Sequence, residues 1–472
     1  MSGLFVTKPI DTLLAEAQND RGLKRSLGPM SLVTLGIGAI IGAGIFTLTG
    51  VAAATHAGPA MVYSFILAAV GCAFAGLCYS EFSTMIPIAG SAYTYAYATM
   101  GELLAWIIGW ALVLEYAVGA ATVSVSWAAT FDSILQSFGI QLPRSIVASP
   151  FAPQPGSVNL VAVIIICIVS CILIRGIRES ASVNDIIVVT KVAVVILFIG
   201  LGYFFINYKN YHPFVPANTG EFGAFGWSGV LAAAGQIFFA YIGFDAVSTA
   251  AQEAKNPKRD MPIGIIGSLA ICTVLYILYS LVLTGIVNYK DLNVAAPLAL
   301  AVDQMKNYPW IGFIMKLGSL CGLTSVMLVM LLGQSRVFYS MANDGLLPRL
   351  FSEVHPTFRT PWKSNLLLMV FVSLGAAFTP IASLGNLTSI GTLFAFTVVC
   401  IGIMIMRRKN PDLPRPFRTP LVPLVPVLGV IVNLGLMYGL GTITWVAFLS
   451  WMTLGLIIYF LYSRHTSVLQ QK

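Results

Sequence analysis

Two charged residues stand inside long apolar runs: Glu115 in L-V-L-E-Y-A-V and Lys191 in D-I-I-V-V-T-K-V-A-V-V. A third stretch, L-G-I-G-A-I-I-G-A-G-I-F-T-L-T-G from Leu35 to Gly50, places Gly36, Gly38, Gly42 and Gly44 close together. A carboxyl or ammonium deep in an apolar layer costs about 2.5–3.5 kcal/mol on insertion scales and is a functional candidate by default. Both groups can take up and release a proton. Counted from Leu103 at 1.5 Å per residue, Glu115 lies roughly 18 Å in; Lys191, counted from Asn184, lies about 10 Å in. The bland alternatives are a structural acid hydrogen-bonded to its neighbours, and a lysine that snorkels to the surface. Glycine lowers helix propensity by about 1 kcal/mol relative to alanine, so the glycine stretch predicts a helix that unwinds near Gly42-Ala43-Gly44. Its second half would aim amide N–H groups at an anion such as a carboxylate. Close packing is the competing reading, since Gly38 and Gly42 have GxxxG spacing.

The elements that must position these groups favour the first reading. Apolar runs of spanning length recur over roughly 31–54, 60–82, 103–132, 158–174, 184–206, 229–253, 263–287, 309–339, 365–380, 387–406, 421–440 and 443–463. The chain therefore reads as an all-α polytopic membrane protein with twelve transmembrane helices. The sixth run, G-Q-I-F-F-A-Y-I-G-F-D-A-V-S-T-A-A-Q-E, holds Gly243 and Asp245 at its middle. Runs 1 and 6 each open a block of five, and five is odd, so the second block is inverted. Paired broken helices in two inverted halves point to a transporter's midplane site. The expected organisation is a cytoplasmic segment 1–30, a first repeat 31–206, a second repeat 229–406, two extra helices within 421–463 and a tail 464–472.

Composition narrows the class. The chain is 57% hydrophobic and 9% charged over 472 residues, which excludes disorder and disfavours an ordinary soluble globule. Its net charge of +8 follows topology: twenty of the 26 Lys and Arg residues lie on the side of the N-terminus, counting Arg336 at the inner end of the eighth run, against four on the other. Both termini are then cytoplasmic, and no nucleic-acid patch is implied. The seven cysteines read as small core residues, not a disulfide framework, and no metal, phosphate-loop or nucleophile motif is present, so neither a cofactor nor an enzyme is expected. The first 30 residues read as a short interfacial helix, with a cytoplasmic gate latch as the alternative. The segment Glu81–Tyr97 carries Pro87, Gly90 and tyrosines 93, 95 and 97 but no Lys or Arg. It reads as re-entrant, with an interfacial tyrosine belt as the alternative. Met327 and Met330 share a helix face at i, i+3.

Four stretches carry a family resemblance: G-I-G-A-I-I-G-A-G-I-F, the Glu81–Tyr97 segment, F-F-A-Y-I-G-F-D with N-P-K-R-D-M-P, and S-R-V-F-Y-S-M-A-N-D-G-L-L-P. Together they resemble bacterial cationic amino acid transporters of the amino acid–polyamine–organocation superfamily. The resemblance implies a five-plus-five inverted repeat with an L-amino acid between broken helices 1 and 6. It places the carboxylate around Gly42 on the amides of Ala43, Gly44 and Ile45. The ammonium would meet carbonyls of Ile40, Ile41, Phe239, Ala240 and Ile242, with Met330 or its neighbour Met327 facing the side chain. Lys191 and Glu115 match the family's intramembrane charged positions, and proton coupling is implied. Ala43 departs from the hydroxyl residue of many relatives, leaving backbone amides alone to hold the carboxylate.

The expected function is proton-coupled symport of amino acids across the cell membrane by alternating access. A buried cationic side chain needs an anionic or carbonyl partner, and the methionine and aliphatic wall favours small neutral substrates such as alanine over arginine or lysine. An exchanger without proton movement and a membrane amino acid sensor are the alternatives. A small membrane subunit or a homo-oligomer is left open.

Overall fold

The computed structural model describes residues 4–9, 27–86, 91–176, 181–249, 251, 254–305 and 309–470. Among them the regular structure is helical, apart from one isolated bridge between Leu27 and Ala254. Eight helices are long and apolar enough to cross a membrane, and four shorter apolar ones, of 10–17 residues, accompany them. The expected interfacial helix falls largely outside the described residues, as do Pro87 and Gly90. Residues 4–9 are not helical: Lys8 N–H donates to Tyr97 O (3.1 Å) and Glu102 N–H to Val6 O (3.1 Å), and the Lys8 ammonium lies 2.9 Å from Asp344 Oδ1.

The helices that position the site are α1 (Pro29–Ile40), α2 (44–57), α3 (Met61–Met85), α4 (Ser91–Thr99), α5 (Glu102–Ser137), α6 (Leu160–Ile174) and α7 (Ala181–Gly202). They continue with α8 (Gly226–Ile237), α9 (Phe244–Thr249), α10 (Pro257–Ile286), α11 (Pro309–Asn343), α12 (Trp362–Phe378), α13 (Ile381–Lys409) and α14 (Leu424–Gly439). Local chemistry sets several ends. Proline at the first turn of α1 and α10 lacks only an N–H that a helix start leaves unpaired. Asn159 caps α6 by accepting from Ala162 N–H at 3.1 Å. Gly58, at φ +58°, reverses the chain between α2 and α3.

Packing follows from which faces are apolar all round. α1 runs along α10 and α7, α3 along α10, α5 along α11, and α6 along α12. The two broken segments and α5 are almost wholly buried, whereas α6, α7 and α12 expose Ile164, Ile168, Ile186, Val189, Val370 and Leu374. An exposed apolar ring around a polar-dotted interior suits a protein whose outer solvent is lipid. The expectation that all seven cysteines are core residues fails in part: Cys72, Cys78, Cys272 and Cys400 are buried, but Cys171 and Cys321 face outward from their helices.

Candidate functional site

The first break comes one residue earlier than the glycines suggest. α1 ends at Ile40, and Ile41 (φ −72°, ψ 106°) turns the chain out of the helix. The ladder resumes when Phe46 N–H donates to Gly42 O at 3.3 Å. Gly44 is needed for closeness instead of flexibility: a Cβ there would stand 2.2 Å from the Ala240 Cα of the second broken segment. Breaking a helix strips its last carbonyls and its next amides of intrahelical partners. Two distant side chains take the carbonyls. The Lys191 ammonium donates to Gly38 O at 2.6 Å. The Tyr276 hydroxyl on α10 lies 3.0 Å from Ile40 O and 2.8 Å from Ala240 O. With one proton, that hydroxyl donates to one carbonyl at a time. On the other side of the gap, Ala43, Gly44 and Ile45 open the first turn of α2, where helix geometry supplies their N–H groups with no acceptor. All six residues from Ile40 to Ile45 are buried.

The second break is longer. α8 gives way to a tight turn, Phe238–Tyr241, then Ile242 (ψ 134°) and Gly243 (φ +121°) lead into α9. A side chain at Gly243 would face both the left-handed conformation and the Ala39 carbonyl, 2.7 Å from the added Cβ. Phe239 N–H donates to Ser389 Oγ at 3.1 Å, and that hydroxyl donates onward to Gln236 O at 3.2 Å. Phe239 O accepts from Ile242 N–H at 3.2 Å. The two breaks thus lie against each other, with Ile40 and Ala240 joined through Tyr276.

The charged candidates divide between the breaks. Lys191 is fully buried and does not snorkel, because Gly38 O is within reach and Gly322 lets its stem pass (a Cβ there would lie 2.9 Å from Lys191 Cγ). Glu115 occupies a widened, π-helical turn, Leu114–Val118, which is frequent at functional sites. Its carboxyl has Asp245 and Thr392 as polar neighbours. Tyr116 OH donates to Asp245 Oδ2 at 2.8 Å. Lys191 therefore belongs to the first break and Glu115 to the second.

Met330 packs its sulfur against Gly119, where an added Cβ would lie 3.0 Å away, with Thr388 beside it. The residue on α11 that meets the first break is Val326, one turn before Met330 and facing Gly42. The tyrosines of α4 form no interfacial belt: Tyr93, Tyr95 and Tyr97 are about as buried as any core residue, and Tyr93 OH donates to Asp344 Oδ2 at 2.8 Å. Tyr276, Ser389 and Val326 escaped the sequence reading. A tyrosine or serine in an apolar run gives no local signal, since its partner lies 36 to 236 residues away.

A family model described as amino acid permease matches residues 27–463. The methylthioribose transporter of Bacillus subtilis is 44% identical over 471 residues, covering 100% of both chains. The branched-chain amino acid permease BcaP of the same organism is 44% identical, covering 99% of each. The vacuolar cationic amino acid transporter 4 of Arabidopsis thaliana is 37% identical over 87% of this chain and 68% of its own.

Proposed function

Because this multi-pass membrane protein belongs to the amino acid permease family, we propose that it carries neutral L-amino acids into the cell with protons, by alternating access. The observation that carries the proposal is the meeting of two helix breaks, with opened amides on one side and carbonyls on the other. A zwitterion has the matching ends. In this reading Gly42, Ala43, Gly44 and Ile45 receive the carboxylate. Carbonyls of Ile40, Ile41, Phe239, Ala240 and Ile242 receive the ammonium, which displaces the Tyr276 hydroxyl.

Twelve crossings follow if α1 and α2 form one broken crossing and α8 and α9 another. Three contacts support the inverted five-plus-five repeat: α3 packs on α10, α5 on α11 and α6 on α12, each pair five crossings apart. The basic surplus on one side supports cytoplasmic termini. Lys191 and Glu115 are the proton-coupling groups in this reading. Met330, Val326 and Gly119 favour an uncharged, aliphatic side chain, and the branched-chain permease among the relatives supports the same class.

The test is uptake of labelled alanine into sodium-free proteoliposomes under an inward proton gradient, with leucine, arginine and methylthioribose as competitors. Alanine should accumulate, leucine should compete, and the other two should barely inhibit. Strong inhibition by arginine or methylthioribose would overturn the substrate class, and uptake that ignores the gradient but needs internal amino acid would make the protein an exchanger. Met330→Ser should enlarge the pocket and strengthen inhibition by longer side chains.

A further inference from the structure

A cavity of about 110 Å³ lies beside the second break, and the permease reading makes no use of it. Ala232 and Gln236 of α8, Asn386 of α13 and His56 near the end of α2 line it, together with the end of α14 at Gly439 and Leu440. Its most exposed side chain, Phe222 at 55%, belongs to the connection before α8 and marks the way out. Two amide oxygens of the lining residues are buried without a donor: Gln236 Oε1, on a residue 2% exposed, and Asn386 Oδ1. An unpaired buried acceptor costs about 1–3 kcal/mol, so two of them around one cavity point to a ligand. His56 supplies a third acceptor. Its Nδ1 donates to Gly223 O at 2.7 Å, since a carbonyl can only accept, and Nε2 of the neutral ring then keeps its lone pair.

The chemistry of these groups selects the occupant. α14 stops here, with Gly441 in the left-handed region (φ +79°), and a helix end carries partial negative charge on its last carbonyls. Anions are therefore disfavoured, and the unpaired oxygens ask for a donor or a cation. The described lining residues include no acid. A divalent ion would call for carboxylates, whereas neutral carbonyl-type oxygens suit an ion of single charge. At roughly 30 Å³ per water, the space admits such an ion together with about two waters. Position gives the ion a consequence. Ser389 Oγ accepts from Phe239 N–H at 3.1 Å and donates to Gln236 O at 3.2 Å. Gln236 precedes Phe239 by three residues, and Asn386 precedes Ser389 by three. The two residues with free oxygens thus flank the hydroxyl that ties the second break to α13.

We propose that this cavity binds one monovalent cation, sodium or potassium, through Gln236 Oε1 and Asn386 Oδ1. The ion fixes α8 against α13 and so steadies the Phe239 turn that receives substrate. The ion site stands by itself, and its effect on substrate rests on the permease reading above.

The experiment uses the full-length protein in detergent and choline chloride, with choline replaced stepwise by sodium or potassium at constant ionic strength. Melting temperature and equilibrium binding of labelled alanine are followed for the unmodified protein, Gln236→Leu, Asn386→Leu and Asn386→Asp. The unmodified protein should show a saturable rise of about 2 °C or more at ~100 times the half-saturating ion concentration. Both leucine variants should melt in choline near the unmodified protein, because leucine removes an unpaired oxygen, and neither should respond to the ion. Asn386→Asp adds a charge without changing shape; it should lower the half-saturating concentration by about tenfold and admit calcium. Saturating ion should tighten alanine binding by about fivefold or more in the unmodified protein. A melting temperature that ignores both salts would overturn the proposal and leave the cavity to water. An equal rise in both leucine variants would overturn it too, by placing the ion elsewhere, and a response to calcium alone in the unmodified protein would overturn the ligand class. An ion-dependent rise with alanine affinity unmoved would overturn the link to substrate. Absence of alanine binding at every ion concentration would instead refute the permease reading, with the ion-dependent rise intact.

Discussion

At the first break the end of α1 meets a cation, Lys191, 2.6 Å from Gly38 O. At the second, α9 begins with an acid, Asp245, which stands beside Glu115 and under the Tyr116 hydroxyl. Each charge has the sign that its helix end attracts: positive at the carbonyl end, negative at the amide end. The environments differ in a second way. The Lys191 ammonium bonds a backbone carbonyl, whereas the Glu115 carboxyl has another acid, Asp245, and the Thr392 hydroxyl as its polar neighbours. The comparison teaches that the two breaks gather opposite charges: a cation on a carbonyl at the first, and acids beside a tyrosine hydroxyl at the second.

The harshest way to break this arrangement is to push the segments apart. Gly44→Ala puts a Cβ 2.2 Å from Ala240 Cα, and Gly243→Ala adds a left-handed φ to a clash with the Ala39 carbonyl. Both should abolish alanine uptake at normal expression. Gly42→Ala meets only a Val326 methyl at 3.1 Å and should retain measurable uptake. If all three behave alike, contact between the breaks is not what the glycines serve.

Removing the first break's charge comes next. Lys191→Met leaves Gly38 O without its ammonium, a loss of about 1.5–3 kcal/mol for a charged hydrogen bond, or roughly ten- to a hundredfold in accumulation. Lys191→Arg should not rescue it, because the stem fits against Gly322 with no room to spare. Rescue by arginine would show that charge alone matters.

Tyr276→Phe acts on both breaks at once. It leaves the Ile40 and Ala240 carbonyls buried without their hydroxyl, which should lower stability by about 1–3 kcal/mol. Thermal unfolding in detergent should show the loss, and saturating substrate should recover part of it, since its ammonium supplies the missing donors. An unchanged melting temperature would mean the carbonyls find other partners. The smallest effect is expected at Ser389→Ala, which touches the second break alone by freeing Phe239 N–H; a loss near 1 kcal/mol should appear in the same assay.

Both breaks were legible because glycine in an apolar run is a local signal, and the two lie at matching places in the chain. Glu115 and Lys191 were legible because charge in such a run is rare. Their partners were not. Gly38 is 153 residues from Lys191, and Ile40 is 236 from Tyr276, and no periodicity links them. Asp245 was visible, but its contact with Tyr116 on α5, 129 residues away, was not. The exact breakpoint at Ile41 also escaped, because the turn falls on a residue that glycine counting passes over.

A structure of the protein with saturating leucine or alanine tests the central claim most directly. The account predicts the carboxylate at the amides of Ala43, Gly44 and Ile45, the ammonium at the Ile40 and Ala240 carbonyls, and the Tyr276 hydroxyl moved off at least one of them. A ligand bound elsewhere, with Tyr276 still bridging both carbonyls, would contradict it.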